Sequence, residues 1–98
     1  AIVQAHASIG RATIVNTGAI VEHDARVGTA AHIAPGAILA GAVTVGARTL
    51  VGVGACVIPR VIVGDDATVG AGAAVTADVP SGLTVVGVPA RAVGTRIG

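Results

Sequence analysis

Ninety-eight residues make a single domain near the lower limit of what one core can stabilise, so association with further copies is expected to help. The chain contains no Phe, Tyr, Trp or Met, six Arg and no Lys, and a formal charge of +1. That excludes aromatic stacking platforms for single strands and a phosphate-backbone footprint, and hence a nucleic-acid partner.

From Val3 onward an aliphatic residue falls on every sixth position: Val3, Ile9, Val15, Val21, Val27, Ile33, Leu39, Val45, Val51, Val57, Val63, Val69 and Val75. The residue two before each is small or β-branched, as at Ala7, Thr13, Ala19 and Ala25. Neither a helical period of 3.6 nor simple strand alternation produces a strict six. Stacked short strands do, each burying its apolar residue only against its neighbours, which predicts a β-solenoid. The uncharged stretch between Arg26 and Arg48 is long enough for a membrane span. It keeps the six-residue register through His32, Pro35 and four glycines, so it reads as solenoid, and no membrane partner is expected. The chain starts inside a hexad with no basic cluster and no polar cap, which leads us to expect an upstream domain or an excised piece.

Glycines recur eighteen apart at Gly10, Gly28, Gly46 and Gly64, and again at Gly52 and Gly70. Three hexads therefore make one coil of a triangular prism, with glycine at corners that need φ > 0 or close backbone approach. Thirteen hexads give about four coils, and residues eighteen apart stack in columns. The outward column Ile20, Ile38, Cys56, Ala74 is an apolar stripe, and Ile14, His32, Leu50, Thr68 forms a second, partly apolar one. Two such faces on a threefold prism suit a closed homotrimer. Cys56, the single cysteine, is expected to pack at that interface; it cannot form an intrachain disulfide and suits a reducing compartment. After Val75 the register is expected to stop. Residues 1–80 form the prism in this reading, and 81–98 an extension with an extended Leu83–Val86 and a short helix begun at Pro89.

Three histidines are the side chains that titrate nearest neutral pH. His23 lies at a corner, in a column with Ala5, Gly41 and Pro59 that leaves room for a ligand, and Asp24 beside it can fix its tautomer as a general base requires. The bland alternative is a solvated histidine between two carboxylates. His32 lies nine residues on, half a coil away, so the two can share a site only between subunits; packing between Ile14 and Leu50 is its bland alternative. His6 stacks one coil below Asp24 and is expected to pair with it. No two histidines share a column, so a zinc site is not expected. Gly52-Val53-Gly54 and Gly70-Ala71-Gly72 lack the helix of a dinucleotide fingerprint, and stack instead as two bare corners with backbone amides open to a ligand, though corner sterics alone would also explain them.

The run Asn16-Thr17-Gly18-Ala19-Ile20-Val21-Glu22-His23-Asp24, then His32, then Gly87-Val88-Pro89-Ala90, resembles the hexapeptide-repeat sugar acyltransferases of the NeuD/PglD group, over essentially the whole chain. The resemblance implies a left-handed parallel β-helix trimer that moves an acetyl group from acetyl-CoA to an amine or hydroxyl of a sugar or nucleotide-sugar, in cytoplasmic polysaccharide biosynthesis, without a metal. It also implies His23 as general base supported by Asp24, where relatives often carry Glu, and His32, Val53, Ala71 and Pro89 along the cofactor. Gly41 is the expected source of an N–H for the oxyanion. Full-length relatives add an N-terminal domain that binds the sugar nucleotide. The rival expectation is a non-catalytic trimeric solenoid scaffold, without acceptor binding.

Overall fold

The structure is a computed structural model that describes residues 1–93. Its strands are two residues long and one hexad apart. The first two coils hold β1 (Ile2–Val3), β2 (Ser8–Ile9), β3 (Ile14–Val15), β4 (Ile20–Val21), β5 (Arg26–Val27) and β6 (His32–Ile33). The next two hold β7 (Ile38–Leu39), β8 (Thr44–Val45), β9 (Leu50–Val51), β10 (Cys56–Val57), β11 (Ile62–Val63) and β12 (Thr68–Val69). The chain continues through β13 (Ala74–Val75) and β14 (Thr84–Val86) to β15 (Arg91–Ala92). Strands three apart pair in parallel, and with β14 on β12 and β15 on β14 this builds three sheets: β1-β4-β7-β10-β13, β2-β5-β8-β11 and β3-β6-β9-β12-β14-β15. Partners are eighteen residues apart, as in Ile20↔Ile38 and Cys56↔Ala74.

Two residues suffice for a strand here because the ladder is longitudinal. Each coil donates N–H groups to the next, as Ile20 does to the Ala37 carbonyl at 2.8 Å and Cys56 to Ala73 at 2.9 Å. Inward residues fill the axis, with Val21, Ile33, Leu39, Val51 and Val63 all fully buried. Each such side chain contributes about 1.5–3 kcal/mol by leaving water. The one buried polar side chain among the described residues, Thr49, donates its hydroxyl to the Gly64 carbonyl at 2.6 Å, so β-branched volume enters the core without an orphaned oxygen.

The structure corrects three expectations. The register does not stop at Val75; it resumes two residues short, with Val79 opposite Val63 and Val85 opposite Val69, each sixteen apart and buried. A fifth coil results, and residues 83–86 add a layer to the prism. The Asp78 carboxylate fills the place of a backbone acceptor at the shortened corner and takes the Ile62 N–H at 2.8 Å. The helix expected from Pro89 is absent: residues 87–90 turn, and β15 returns antiparallel to β14 with Val86 opposite Arg91. Backbone groups there are engaged across the end of the prism, Ala90 N–H with Ala74 and Val93 N–H with Thr84, both at 2.8 Å, and these bonds take the place of helical ones. Lastly, the pairing of His6 with Asp24 is replaced by a backbone bond from Asp24 N–H to the Ala5 carbonyl at 3.2 Å, while the Asp24 carboxylate turns to its neighbour His23. No helix among the described residues is long and apolar enough to cross a membrane.

The corners separate the two reasons for glycine. Gly28, just past an inward valine, has no room for a Cβ, which would lie 2.7 Å from the Ala47 nitrogen of the next coil. Gly54, two residues further round its own corner, has φ +68° and open space where a Cβ would be. At the corner after β8, Arg48 reaches up one coil to Asp66, Nε to Oδ1 at 2.7 Å and Nη2 to Oδ2 at 2.9 Å. That hydrogen bond, helped by the opposite charge and opposed by desolvation, holds the Asp66 carboxyl below its ordinary range and the guanidinium above its own. A depressed carboxylate contributes stability above its unfolded pKa and loses it as pH falls through the folded one. In an NMR pH titration, Asp66 is expected to titrate below the ordinary aspartate range, and Arg48→Ala to return it to that range; an unmoved Asp66 would refute the pairing in solution.

Candidate active site

His23 stands in the corner between β4 and β5, two residues beyond the buried Val21, with an exposed imidazole. Its Nδ1 lies 3.1 Å from Asp24 Oδ2. A carboxylate only accepts, so this bond places the proton on Nδ1 and leaves Nε2 with its lone pair free. Asp24 can reach back because its own backbone is left-handed, φ 61°, a conformation that short polar residues tolerate better than most. One coil above, Gly41 supplies the ring's floor: a Cβ on it would sit 3.0 Å from His23 Cε1 and 3.1 Å from Nε2. Gly41 thus makes room for the Nε2 edge of the imidazole, beyond the role that the sequence suggested for it. Its N–H has no protein acceptor among the described residues, whereas the next one, Ala42 N–H, is bonded to the His23 carbonyl at 3.0 Å.

His32 lies on β6, half-buried, paired with Ile14 below and Leu50 above. The sheet that carries it is the prism face opposite the corner of His23, which separates the first two sheets. One chain therefore does not bring the two histidines together. Asn16, a motif residue to which the sequence assigns no role, comes within 3.4 Å of His32 Nε2 through its Nδ2. The signal available was an Asn-Thr-Gly turn one coil below an outward histidine.

Val53 and Ala71 occupy the same position of successive coils, at the corner that follows β9 and β12, and both are exposed. Neither N–H has a protein acceptor among the described residues, and nothing lies within 4 Å of where a Cβ on Gly54 or Gly72 would be. Two free backbone donors thus stack along an edge without side-chain cover, next to the face of His32. Pro89 lies exposed in the turn before β15, past the upper end of this edge. Cys56 is exposed on the outward apolar stripe. Among the described residues no group of three or more His, Cys, Asp or Glu side chains is placed to hold a metal ion.

Comparison with protein-family models and with curated proteins gave no match. Solved structures match closely. A histidine-to-alanine variant of GDP-perosamine N-acetyltransferase from Caulobacter crescentus, in complex with CoA and GDP-perosamine, is 47% identical with a TM-score of 0.94 over 95% of this chain. The acetyltransferase domain of PglB from Neisseria gonorrhoeae FA1090, in complex with acetyl coenzyme A, is 42% identical with a TM-score of 0.92 over 93% of the chain. Serine acetyltransferase from Neisseria gonorrhoeae is 29% identical with a TM-score of 0.85 over 94% of the chain and 40% of its own length. The chain spans 44% of the length of both the perosamine and the PglB structures. The likeness settles the hand of the coil, which the six-residue repeat leaves open: the prism is a left-handed parallel β-helix. With that fold and this identity over nearly all of its length, the chain belongs to the hexapeptide-repeat sugar acetyltransferases.

Proposed function

We propose that the chain is the acetyl-transferring part of an enzyme that moves an acetyl group from acetyl-CoA to an amine or hydroxyl of a sugar or nucleotide-sugar. The observation that carries this reading is His23: Nδ1 tied to Asp24 at 3.1 Å, Nε2 free, and the ring resting on a glycine. Bound CoA and GDP-perosamine in the perosamine enzyme, and acetyl-CoA in the PglB domain, supply the substrate classes. In the reaction, the acceptor N–H or O–H gives its proton to His23 Nε2 as its lone pair attacks the thioester carbonyl carbon. The tetrahedral oxyanion is met by a free N–H, that of Gly41. Collapse breaks the C–S bond, and the proton held on Nε2 leaves with the CoA sulfur. No covalent acyl-enzyme is needed.

His23 and the edge holding Val53 and Ala71 lie at different corners, so the site is built between prisms. The apolar stripe Ile20, Ile38, Cys56, Ala74 supports side-by-side packing, and three copies close the ring. In this reading acetyl-CoA lies along His32, Val53 and Ala71 of one chain, with its far end toward Pro89, and its thioester faces His23 of the next. Asp24 orients His23. No metal takes part, and the work is done in the cytoplasm, in polysaccharide biosynthesis.

Isothermal titration is expected to give saturable acetyl-CoA binding, one site per chain. Sedimentation equilibrium is expected to return three times the 9.3 kDa chain mass. A chain that binds no acetyl-CoA would instead favour a scaffold, and a monomer that binds it would remove the shared site.

A further inference from the structure

The Asn16 carboxamide is held at one end. Its Oδ1 accepts the N–H of the next residue, Thr17, at 2.7 Å. This fixes which way the amide points, because the flipped carboxamide would set two donors, its NH2 and the Thr17 N–H, against each other. The NH2 end is therefore the one that faces His32 Nε2, at 3.4 Å. An amide NH2 only donates, so Nε2 must accept, and the neutral imidazole then carries its proton on Nδ1. The charged imidazolium has donors at both nitrogens and fits this neighbour worst.

We propose that Asn16 is a positioning residue that holds His32 as the neutral Nδ1–H tautomer, so that His32 offers its ligand one hydrogen-bond donor and no base. The inference rests on the reading above that His32 lies along acetyl-CoA, and it deepens it: the group that meets His32 is a hydrogen-bond acceptor, a carbonyl or phosphate oxygen of the cosubstrate. The two histidines then share a tautomer and differ in the edge that remains free. Asp24 occupies Nδ1 of His23 and leaves a lone pair to take a proton; Asn16 occupies Nε2 of His32 and leaves an N–H to give a hydrogen bond. One fold thereby separates proton transfer from cosubstrate binding with two copies of the same side chain.

The test uses two variants and two readouts on the full chain. Asn16→Asp keeps Oδ1 for the Thr17 N–H, so the corner is retained, but presents an acceptor to Nε2; Asn16→Ala removes the bias. Long-range proton–nitrogen NMR of the ligand-free protein, above the pH at which its histidines carry charge, is expected to show His32 protonated at Nδ1 in the parent. Asn16→Asp should carry it at Nε2, and Asn16→Ala should populate both forms, with His23 unchanged throughout. Acetyl-CoA affinity by calorimetry is expected to fall about tenfold in Asn16→Asp, the size of one hydrogen bond. A parent His32 protonated at Nε2, or one unaffected by either variant, overturns the positioning role whatever acetyl-CoA does. If the tautomer changes as stated while acetyl-CoA binds Asn16→Asp as tightly as the parent, the donor role falls. If the parent does not bind acetyl-CoA at all, it is the cosubstrate reading that fails.

Discussion

His23→Ala is expected to slow acetyl transfer by about 10²- to 10⁴-fold, the usual contribution of a positioned general base, while acetyl-CoA binding stays close to that of the parent. The separation follows from where the groups stand. His23 and its floor Gly41 form one corner, and the free amides of Val53 and Ala71 lie along another, so the substitution removes the proposed proton acceptor without touching the edge proposed for the cosubstrate. Folding is not at stake either, because the imidazole is exposed and its backbone bond, from Ala42 N–H to the His23 carbonyl at 3.0 Å, does not depend on the side chain. Asp24→Asn should lose less than His23→Ala, since an amide oxygen can still accept from Nδ1 but no longer carries the charge that favours the imidazolium formed in the reaction. The assay is CoA thiol release with a nucleotide-linked aminosugar as acceptor. Undiminished release by His23→Ala would refute the general-base assignment, and a loss confined to KM for acetyl-CoA would move His23 to a binding role.

The prism was legible because a two-residue strand leaves its mark in a strict period, and eighteen-residue columns follow from that period. The columns also placed His23 and His32 on opposite parts of one coil, which the pairing of β4 with β7 and of β6 with β9 reproduces. Three features resisted. A two-residue deletion between Val75 and Val79 reads as the end of a repeat, since only the Asp78 carboxylate reaching Ile62 N–H makes the shortened corner possible. The Val88–Val93 stretch has a helix-starting proline, but tertiary partners for its backbone decide the outcome. The left-handed corner residues are harder still: His6, Ala12, Asp24, Ala30, Ala42, Arg48, Arg60 and Asp66 all adopt φ between 52° and 65° without being glycine. Such residues cost roughly 1–2 kcal/mol each in isolation. Most are held by a longitudinal bond, as when Arg60 N–H meets the Gly41 carbonyl at 3.0 Å and Asp66 N–H meets Ala47 at 2.8 Å, so no local propensity announces them. Asn16 escaped for a related reason: its importance lies in which end of its amide is occupied, and that depends on Thr17 and His32 together.

Gly28→Ala is expected to lower stability by about 3 kcal/mol or more, and Gly54→Ala by only about 1 kcal/mol, although both are corner glycines. At Gly28 the added methyl meets backbone: the Ala47 nitrogen at 2.7 Å and the Gly46 carbonyl carbon at 2.9 Å, both in the next coil. Neither can move without stretching the bond from Gly28 N–H to the Val45 carbonyl, now 2.8 Å, and the same ladder repeats above it from Gly46 to Val63 at 2.8 Å. A side chain could rotate away; a stacked coil cannot, so the strain spreads along the prism. At Gly54 the methyl enters open space, and the cost is the left-handed backbone at φ +68°, which the neighbouring non-glycine corners already bear. For a domain of this size 1 kcal/mol corresponds to about 4–8 °C in Tm, so at one fixed protein concentration Gly28→Ala should melt well over 10 °C below the parent and Gly54→Ala within about 8 °C. Function should divide the other way. The Gly54 methyl would stand in the open space of the corner that carries the free amides of Val53 and Ala71, so the nearly stable variant is the one expected to weaken acetyl-CoA. Equal melting losses would contradict the split between close approach and positive φ, and a Gly54→Ala protein that binds acetyl-CoA like its parent would place the cosubstrate away from that corner.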